Sequence, residues 1–393
     1  MSLPSPSVAA ETLRLERYRA LMTGVYESTQ NVFLLLIVVR WFHGSPVEKS
    51  LVASAAQSGL LLAPLVLFVL RVTRMSVARG ASALLWLAAL AMVFASFSVS
   101  SEWFVVCATG AVMSFAVATP LFTTVYAHNY TPTTRGRDFS ESNAIRIGCS
   151  VLSALAAGWF LSGNIAGYHY LLWLVALSLA ISALLAARLP GNIMITEARP
   201  ILSCFRYLRT DRVLRETTVA WMLLGFGVLM MVPLRVEYLA HERHGLALSE
   251  AEIAILLSIV PNVARFISGP IWGRVFDVVD FFTLRIILNC TLMISTVGFF
   301  ATDSWTALLI SAVILGVGTA GGDLAWNLWV TKFAPLDRVS DYMAVHVFFT
   351  GIRGVIAPPV GFFLLQHISL QQLSLISAAL MVLSAVVLAR LRR

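Results

Sequence analysis

Long apolar segments, separated by short polar or glycine- and proline-containing breaks, occupy most of the chain. A helix that crosses the hydrocarbon core of a bilayer needs roughly 20 apolar residues. Twelve segments have about that length, and we predict a membrane-spanning helix over each of 20–41, 51–70, 80–99, 103–126, 141–162, 167–187, 215–239, 252–273, 284–302, 305–330, 342–366 and 370–390. The pattern is that of an all-α membrane protein.

The longest polar break lies near the middle of the chain and opens with Pro190 and Gly191. It separates two groups of six predicted helices. We therefore expect an N-terminal six-helix bundle over 1–188, a cytoplasmic linker over 189–213 and a C-terminal six-helix bundle over 214–393.

The composition supports this class. Of the 393 residues, 59% are hydrophobic and 12% are charged, whereas soluble domains are about half apolar and a quarter charged. This excludes a soluble enzyme, a nucleic-acid-binding module and a disordered protein. The chain contains no nucleotide-binding loop, no common hydrolase motif and no cysteine or histidine spacing of a metal site. We therefore expect no cofactor, and any transport must be passive or coupled to an ion gradient.

The positive charges indicate the orientation in the membrane. If the N-terminus is cytoplasmic, 21 of the 28 Lys and Arg residues lie in cytoplasmic segments, four lie outside and three lie within helices. Lys and Arg accumulate in cytoplasmic loops, so both termini are predicted to be cytoplasmic. The net charge of +8 thus reflects topology, not a nucleic-acid partner. Short loops and the lack of a cleavable targeting peptide favour a bacterial inner membrane.

An internal repeat links the two halves. At an offset of 203 residues, the segment after the fourth predicted helix matches the segment after the tenth. The matched positions are Pro132, Arg135, Asp138, Gly148, Gly158, Phe160 and Leu161 with Pro335, Arg338, Asp341, Gly351, Gly361, Phe363 and Leu364. Two similar six-helix halves are a common transporter architecture.

With this repeat, the chain resembles the major facilitator superfamily of secondary transporters. That family carries a glycine–aspartate motif between helices 2 and 3, often echoed between helices 8 and 9, and the run Gly269–Asp277 is similar to the echo. The copy near Arg71–Arg74 lacks the aspartate, and Val278 stands where a basic residue is expected. In helix 11, the glycine/proline run Gly351–Gly361 loosely resembles an antiporter motif. The resemblance implies two pseudo-symmetric six-helix bundles, alternating access and a monomer in the bilayer.

Five charged residues fall inside predicted helices: Glu27, Arg146, Arg265, Asp323 and Arg353. A charge in the bilayer core costs several kcal/mol, so such residues usually face a cavity or a partner. Helices 3, 6, 9 and 12, which the family resemblance makes lipid-facing, are predicted to have no charge in their interiors. All five charges lie at or on the cytoplasmic side of the midplane, and one polar chamber accounts for them.

Helical spacing adds polar neighbours to these charges. We predict that the substrate is bound by Arg146, Arg265, Arg353, Asn31, Asn262, Trp326 and Asn327, and that a coupling proton is carried by Glu27, Asp323 and His346. Guanidinium groups match carboxylates and phosphates in a two-point fork, and a nearby arginine changes how readily a carboxylate takes a proton. The excess of arginine over acid in this set favours a small anionic or zwitterionic organic solute.

Other interpretations remain open for the same residues. Intramembrane ion pairs also lock helices together or gate the two halves. At the cytoplasmic ends, helix capping or loop bridging that gates the halves is predicted for Asp138, Asp277, Asp341, Arg135 and Arg338. The run from Arg235 to His244 is predicted to be a solvated outer loop.

Two alternative functions also remain. An efflux antiporter for amphipathic, drug-like compounds is favoured by the helix 11 run and by Trp326 and Trp329. A receptor or scaffold on a transporter fold is the alternative from another class. Removing the arginines distinguishes anion transport from drug efflux, and neutralising Glu27 and Asp323 distinguishes a proton-coupled carrier from a scaffold.

Overall fold

The computed structural model describes residues 6–130, 135–191, 201–244, 246–332 and 339–392. Within these ranges, twelve helices are long and apolar enough to cross a membrane. The number and order of the predicted helices are therefore confirmed.

Six of the helices precede the central break. The first, α1, runs from Pro6–Ser28 through a π-helical turn at Thr29–Phe33 into Leu34–Arg40. The others are α2 (Pro46–Thr73), α3 (Val77–Ser96), α4 (Ser101–Asn129), α5 (Arg135–Gly163) and α6 (Tyr168–Ala187), with a 3₁₀ turn at Ile165–Gly167 before α6.

Six more helices follow the break, after a 3₁₀ segment at Ile201–Arg206 and a short helix at Tyr207–Thr210. They are α7 (Arg212–Ala240), α8 (Glu250–Ala254, a π-helical turn at Ile255–Ile259, then Val260–Val278), α9 (Phe281–Phe300), α10 (Trp305–Leu328), α11 (Val339–Leu364) and α12 (Leu370–Leu391). Further 3₁₀ turns lie at Glu242–His244 and Trp329–Lys332.

Side-chain caps set where several helices begin. Ser45 and Ser369 form reciprocal capping boxes with Glu48 and Gln372 at the starts of α2 and α12. Such boxes satisfy backbone N–H groups that have no partner within the helix. Asp280 caps α9 by accepting a hydrogen bond from the Thr283 amide at 3.0 Å.

The start of α1 differs from the sequence prediction. The helix begins at Pro6, about four turns before the apolar segment predicted from residue 20. Charged residues lower the hydropathy of this part, but Glu16 and Arg19 are buried and bind each other. Hydropathy averaging therefore missed a helical segment whose charges are neutralised internally.

Two compact units are formed, one by Met1–Ala198 with Ser249–Ala251 and the other by Arg199–Leu248 with Glu252–Arg393. In the first unit, α1 packs on α5 and α6, α3 packs on α4 and α6, and α2 packs on α4. In the second unit the same pairings recur six helices later. There, α7 packs on α11 and α12, α9 packs on α10 and α12, and α8 packs on α10. This is the predicted arrangement of two pseudo-symmetric six-helix bundles.

Glycines allow close backbone approach at matching interfaces of the two units. A Cβ on Gly24 of α1 would lie 2.6 Å from the Arg146 carbonyl oxygen of α5, and one on Gly361 of α11 would lie 2.6 Å from the Met230 carbonyl oxygen of α7. Small residues at helix contacts are typical of membrane bundles, where close van der Waals packing holds helices together.

Candidate functional site

The first unit contains an ion pair between α1 and α5. Arg146 Nη1 lies 3.3 Å from Glu27 Oε2, and Arg146 Nη2 donates to Asn143 Oδ1 at 2.5 Å. The side chains are partly accessible, with 32% of Arg146 and 19% of Glu27 exposed. A charged pair inside membrane-spanning helices is thus held in place and still accessible.

The π-helical turn of α1 follows Glu27 directly. It spans Thr29–Phe33 and contains Gln30 and Asn31, of which Asn31 is exposed. Such turns interrupt the regular hydrogen-bond ladder and occur frequently at functional sites. The predicted binding residue Asn31 therefore stands within an irregular segment of the helix, next to the ion pair.

The second unit contains an ion pair between α8 and α10. Arg265 Nη2 lies 2.5 Å from Asp323 Oδ2, and 51% of the Asp323 side chain is exposed. Asn262, one turn before Arg265, is partly exposed. The second π-helical turn, Ile255–Ile259, precedes these residues in α8. Each unit thus combines a carboxylate–guanidinium pair with a nearby π-helical turn.

Arg353 and His346 of α11 lie in a more enclosed place. Arg353 is 6% exposed, and its Nη1 donates to the Trp221 carbonyl oxygen of α7. The His346 ring lies 4.7 Å from Trp221, 5.5 Å from Trp326 and 5.1 Å from Trp329, measured between ring centroids. These predicted site residues are therefore packed among aromatic rings.

Arg285 is a buried charge that was counted among the 21 Lys and Arg residues on the cytoplasmic side. It lies in α9, which was predicted to have an uncharged interior, and it is 2% exposed. Its Cζ lies 3.7 Å from the centroid of the Trp221 ring. The prediction was wrong because α9 begins at Phe281, after its cap Asp280, so that Arg285 falls in the second turn. The capping pattern from Asp280 to Thr283 is the sequence signal that indicates this start.

Arg19 was likewise counted as cytoplasmic and is buried. Its Nε donates to Glu16 Oε1 at 2.8 Å and its Nη2 to Glu16 Oε2 at 2.7 Å. The Tyr126 hydroxyl of α4 donates to Glu16 Oε2 at 2.7 Å, and the Phe122 ring lies 3.8 Å from Arg19 Cζ. This network ties α1 to α4.

The predicted solvated outer loop is partly helix. Arg235 and Glu237 lie in α7 and are buried, and Arg235 lies over the Phe299 ring at 4.9 Å and donates to Ser295 Oγ at 3.4 Å. The expectation is wrong for these two residues, because aromatic packing and hydrogen bonds hold the end of α7. Glu242 and Arg243, by contrast, are exposed.

The predicted gating residues are only partly described. Asp138 lies in the first turn of α5, in accord with a helix-start position. Asp277 is exposed near the end of α8, where no helix begins, and the cap of α9 is Asp280 instead. Outside the described part of the chain lie Arg338 and the side chains of Arg135, Asp341 and Asn327. Bridges among them stay predictions.

No metal-ligand cluster of three or more His, Cys, Asp or Glu side chains is present in the described ranges. The chemistry available at the two ion pairs is proton exchange at the carboxylates and anion binding by the guanidinium groups. Neither requires a cofactor.

Comparison with known proteins relates the chain to one family in sequence over its C-terminal part and in fold over its whole length. Residues 232–393 match the sequence model of the Major Facilitator Superfamily. The whole fold matches a crystal structure of the nucleoside transporter NupG, with a TM-score of 0.79 and 13% identity over 98% of this chain and 100% of that one. The fold is that of the major facilitator superfamily.

Other transporters share this fold at similarly low sequence identity. A D-xylose–proton symporter matches with a TM-score of 0.65 and 16% identity, over 97% of this chain and 95% of that one. A peptide transporter, POT, matches with a TM-score of 0.73 and 12% identity, over 99% and 98%. No curated protein sequence matches the chain. The fold and the match to the family model indicate a multi-pass membrane protein with a transporter fold.

Proposed function

We propose that this protein is a secondary active transporter that moves a small organic solute with an acidic group, anionic or zwitterionic, by proton-coupled alternating access. The observation that carries the proposal is the pair of partly accessible carboxylate–guanidinium contacts within membrane-spanning helices. One joins Glu27 to Arg146 in the first unit, and the other joins Asp323 to Arg265 in the second.

Charge balance provides the coupling. With both acids ionised, each pair is neutral. When Asp323 takes up a proton, Arg265 is left with an uncompensated charge in a membrane-spanning helix, which is costly. A carboxylate or phosphate of the solute then restores neutrality by binding the guanidinium in a two-point fork. Proton and solute therefore bind together more favourably than either binds alone, which is a coupling free energy shared by both.

The two pairs differ in accessibility, and this assigns them different tasks in our proposal. Asp323 is half exposed, whereas only 19% of Glu27 is exposed. Asn262, one turn from Arg265, and Trp326, three residues after Asp323, complete the solute contact at the second pair. Within the first unit, Asn31 and the pair of Glu27 with Arg146 are assigned a second proton-sensitive role.

Arg353 and His346 do not contact the solute in this proposal but position other groups. Their burial against Trp221 keeps them from direct contact with solute in the described conformation. The Trp326 ring packs near the His346 ring. We assign both residues to positioning Trp326 and the α7–α11 interface.

Family comparisons support ion-driven transport in general terms. One structural neighbour is named as a D-xylose–proton symporter, and the others named above carry nucleosides or peptides. The distribution of Lys and Arg supports cytoplasmic termini, and an inner-membrane monomer is part of the proposal.

The first test finds the solute and then its coupling. Purified full-length protein is screened by thermal shift against organic acids, amino acids, nucleosides, phosphorylated metabolites and drug-like amphiphiles, since a ligand present at a hundredfold excess over its Kd stabilises by about 2.7 kcal/mol. The stabilising compound is then offered, radiolabelled, to proteoliposomes with an imposed pH gradient. We expect gradient-driven accumulation by the unmodified protein.

Two amide variants test the role of the carboxylates. Asp323→Asn and Glu27→Gln keep the side-chain shape but cannot exchange a proton, so accumulation should fall at least about tenfold, the equivalent of about 1.4 kcal/mol. Exchange of labelled for unlabelled solute, which needs no net proton movement, should persist. Glu11→Gln, at an exposed pair with Arg14, is the matched control and should accumulate solute normally.

Three other results would contradict this proposal or favour one of the alternative functions. Undiminished accumulation in both amide variants contradicts proton coupling through these pairs. Stabilisation only by lipophilic compounds, unaffected by Arg265→Ala, identifies an efflux transporter. A well-folded protein that neither binds nor moves any compound, and tolerates both amide variants in its cellular role, supports the receptor or scaffold.

A further inference from the structure

Two buried arginines flank one tryptophan ring in the second unit. Arg285 Cζ of α9 lies 3.7 Å from the centroid of the Trp221 ring, and Arg353 Cζ of α11 lies 5.9 Å from it. Both side chains are almost inaccessible. The approach of Arg353 to α7 depends on Gly225, because a Cβ at that position would meet the guanidinium group.

The cluster lacks a counter-charge within the described residues, where neither Arg285 nor Arg353 makes an ion pair. The matching interface of the first unit differs in this respect, since Arg146 of α5 meets Glu27 of α1. An arginine in a membrane-spanning segment normally pairs with an acid or faces water. Two guanidinium groups enclosed around the same tryptophan ring repel each other and therefore need a negative charge from elsewhere.

The cluster also contains buried hydrogen-bond donors that have no acceptor in the described part of the chain. Three buried polar atoms of this cluster make no hydrogen bond in the described structure: Arg353 Nε, Trp221 Nε1 and His346 Nε2. The first two are donors only, and His346 Nε2 donates when it carries the ring proton. A buried donor without an acceptor is costly. The cluster thus provides positive charge and hydrogen-bond donors, and it lacks a hydrogen-bond acceptor among the residues described.

We propose that a small anion binds inside the second unit between Arg285 and Arg353, accepting hydrogen bonds from Trp221 Nε1 and His346 Nε2. The burial of all four side chains favours a small anion such as a halide or formate. Chloride from the medium and an acidic group of a solute present the same chemistry here. The site shares no ion pair with the transport scheme above, which uses Glu27, Asp323 and their own arginines, and it meets that scheme at Trp326, whose ring packs near His346.

The test measures anion binding to the full-length protein in detergent. Protein is prepared in gluconate and titrated at constant ionic strength with chloride, bromide, formate, acetate or succinate, while the Tm is followed. We expect a saturable rise of about 3 °C or more with chloride, bromide and formate, since a ligand that binds only the folded state stabilises it. Gluconate should have no effect. A larger rise with succinate or acetate than with chloride identifies an acidic solute group as the occupant.

Charge-removing variants assign the effect to the cluster. Arg285→Gln and Arg353→Gln should abolish the chloride-dependent rise, and in gluconate their Tm should equal or exceed that of the unmodified protein because the unbalanced charge is gone. Arg285→Lys retains the charge and should retain a weakened rise. Arg235→Gln is the matched control, since Arg235 is also buried over an aromatic ring, and it should respond to chloride normally.

Other outcomes overturn the site. These are the absence of a saturable chloride effect in the unmodified protein, or an equal effect in Arg285→Gln and Arg353→Gln. A purely structural role for the arginines instead lowers the Tm of the Gln variants by the same amount at every chloride concentration. If the Gln variants do not fold, crystals of the unmodified protein are soaked in bromide. An anomalous peak between the two guanidinium groups supports the site, and the absence of a peak there refutes it.

Discussion

At the scale of single residues, the first helix contains one buried and one exposed ion pair of the same kind. Arg19 and Glu16 are both buried in α1 and form a two-point fork, with the Tyr126 hydroxyl bonded to the same carboxylate. Arg14 and Glu11, at the same spacing on the same helix, lie 3.7 Å apart with 67% and 51% of their side chains exposed. The two pairs differ in burial far more than in sequence.

Removing the arginine should therefore cost much more stability in the buried pair than in the exposed pair. Arg19→Ala leaves the Glu16 carboxylate buried without its cation, which should destabilise the folded protein by about 3–5 kcal/mol. Arg14→Ala removes an exposed pair and should change stability by less than about 1 kcal/mol. Thermal unfolding of both variants in the same detergent measures the difference. Equal Tm values would show that the buried fork does not contribute to stability.

Sequence reasoning at this scale found the charges that lie in the middle of apolar segments. Glu27, Arg146, Arg265 and Asp323 stood out there, and the structure pairs them. Arg285 was missed because it lies near a helix end. Hydropathy does not tell whether such a side chain turns towards the bundle or towards water, since that depends on packing against Trp221 of another helix.

At the scale of helices, α1 and α5 approach closely at a position without a side chain. A Cβ on Gly24 would meet the Arg146 carbonyl oxygen at 2.6 Å, Cys149 Cβ at 2.7 Å and the Ser150 amide nitrogen at 2.9 Å. Two of these three atoms belong to the backbone, which cannot move without shifting the helix. The same contact sets the position of Arg146 opposite Glu27.

A pair of alanine substitutions tests this contact. Gly24→Ala should force the helices apart and destabilise the protein by about 1–3 kcal/mol, and it should also weaken proton-driven accumulation by displacing Arg146. Gly148→Ala in α5, where no atom lies within 4 Å, should be neutral or stabilise by up to about 1 kcal/mol. Thermal unfolding and uptake are measured for both. A Gly24→Ala variant as stable as Gly148→Ala would refute the close-contact interpretation.

The existence of each helix was predictable because 20-residue apolar segments have few other structures available in a bilayer. The ends of the helices were less predictable. The first turns of α1 were missed because Glu16 and Arg19 lowered the hydropathy of a segment that is nevertheless buried. The π-helical turns at Thr29–Phe33 and Ile255–Ile259 leave no distinct mark in the apolar pattern, since one added residue barely changes a hydropathy average.

At the scale of the whole molecule, one packing scheme is used twice. The helix pairings of the first unit recur six helices later in the second, as the repeat at an offset of 203 residues indicated. The chemistry is less symmetric than the packing. The acid–arginine pair joins α1 to α5 in the first unit but α8 to α10 in the second, so the sequence repeat predicts the scaffold better than the site.

Orientation is a property of the whole chain and is tested as such. If the positive charges set the topology, a fluorescent protein fused after Arg393 should fold in the cytoplasm and fluoresce. Alkaline phosphatase fused within the segment between α1 and α2 should be exported and active. The reversed pattern, with a dark C-terminal fusion and an inactive phosphatase at that segment, would place the termini on the other side.

The two π-helical turns have a consequence for anyone comparing this chain with its relatives. A π-helical turn closes its hydrogen bond over one residue more than an α-helical turn, so it amounts to a single-residue insertion inside a membrane span. A relative with a regular helix in α8 must be aligned with a one-residue gap at Ile255–Ile259. Without that gap, the residues on one side of the turn are aligned one position out of register. Asn262 and Arg265 are then matched to residues that lie on a different face of the relative's helix.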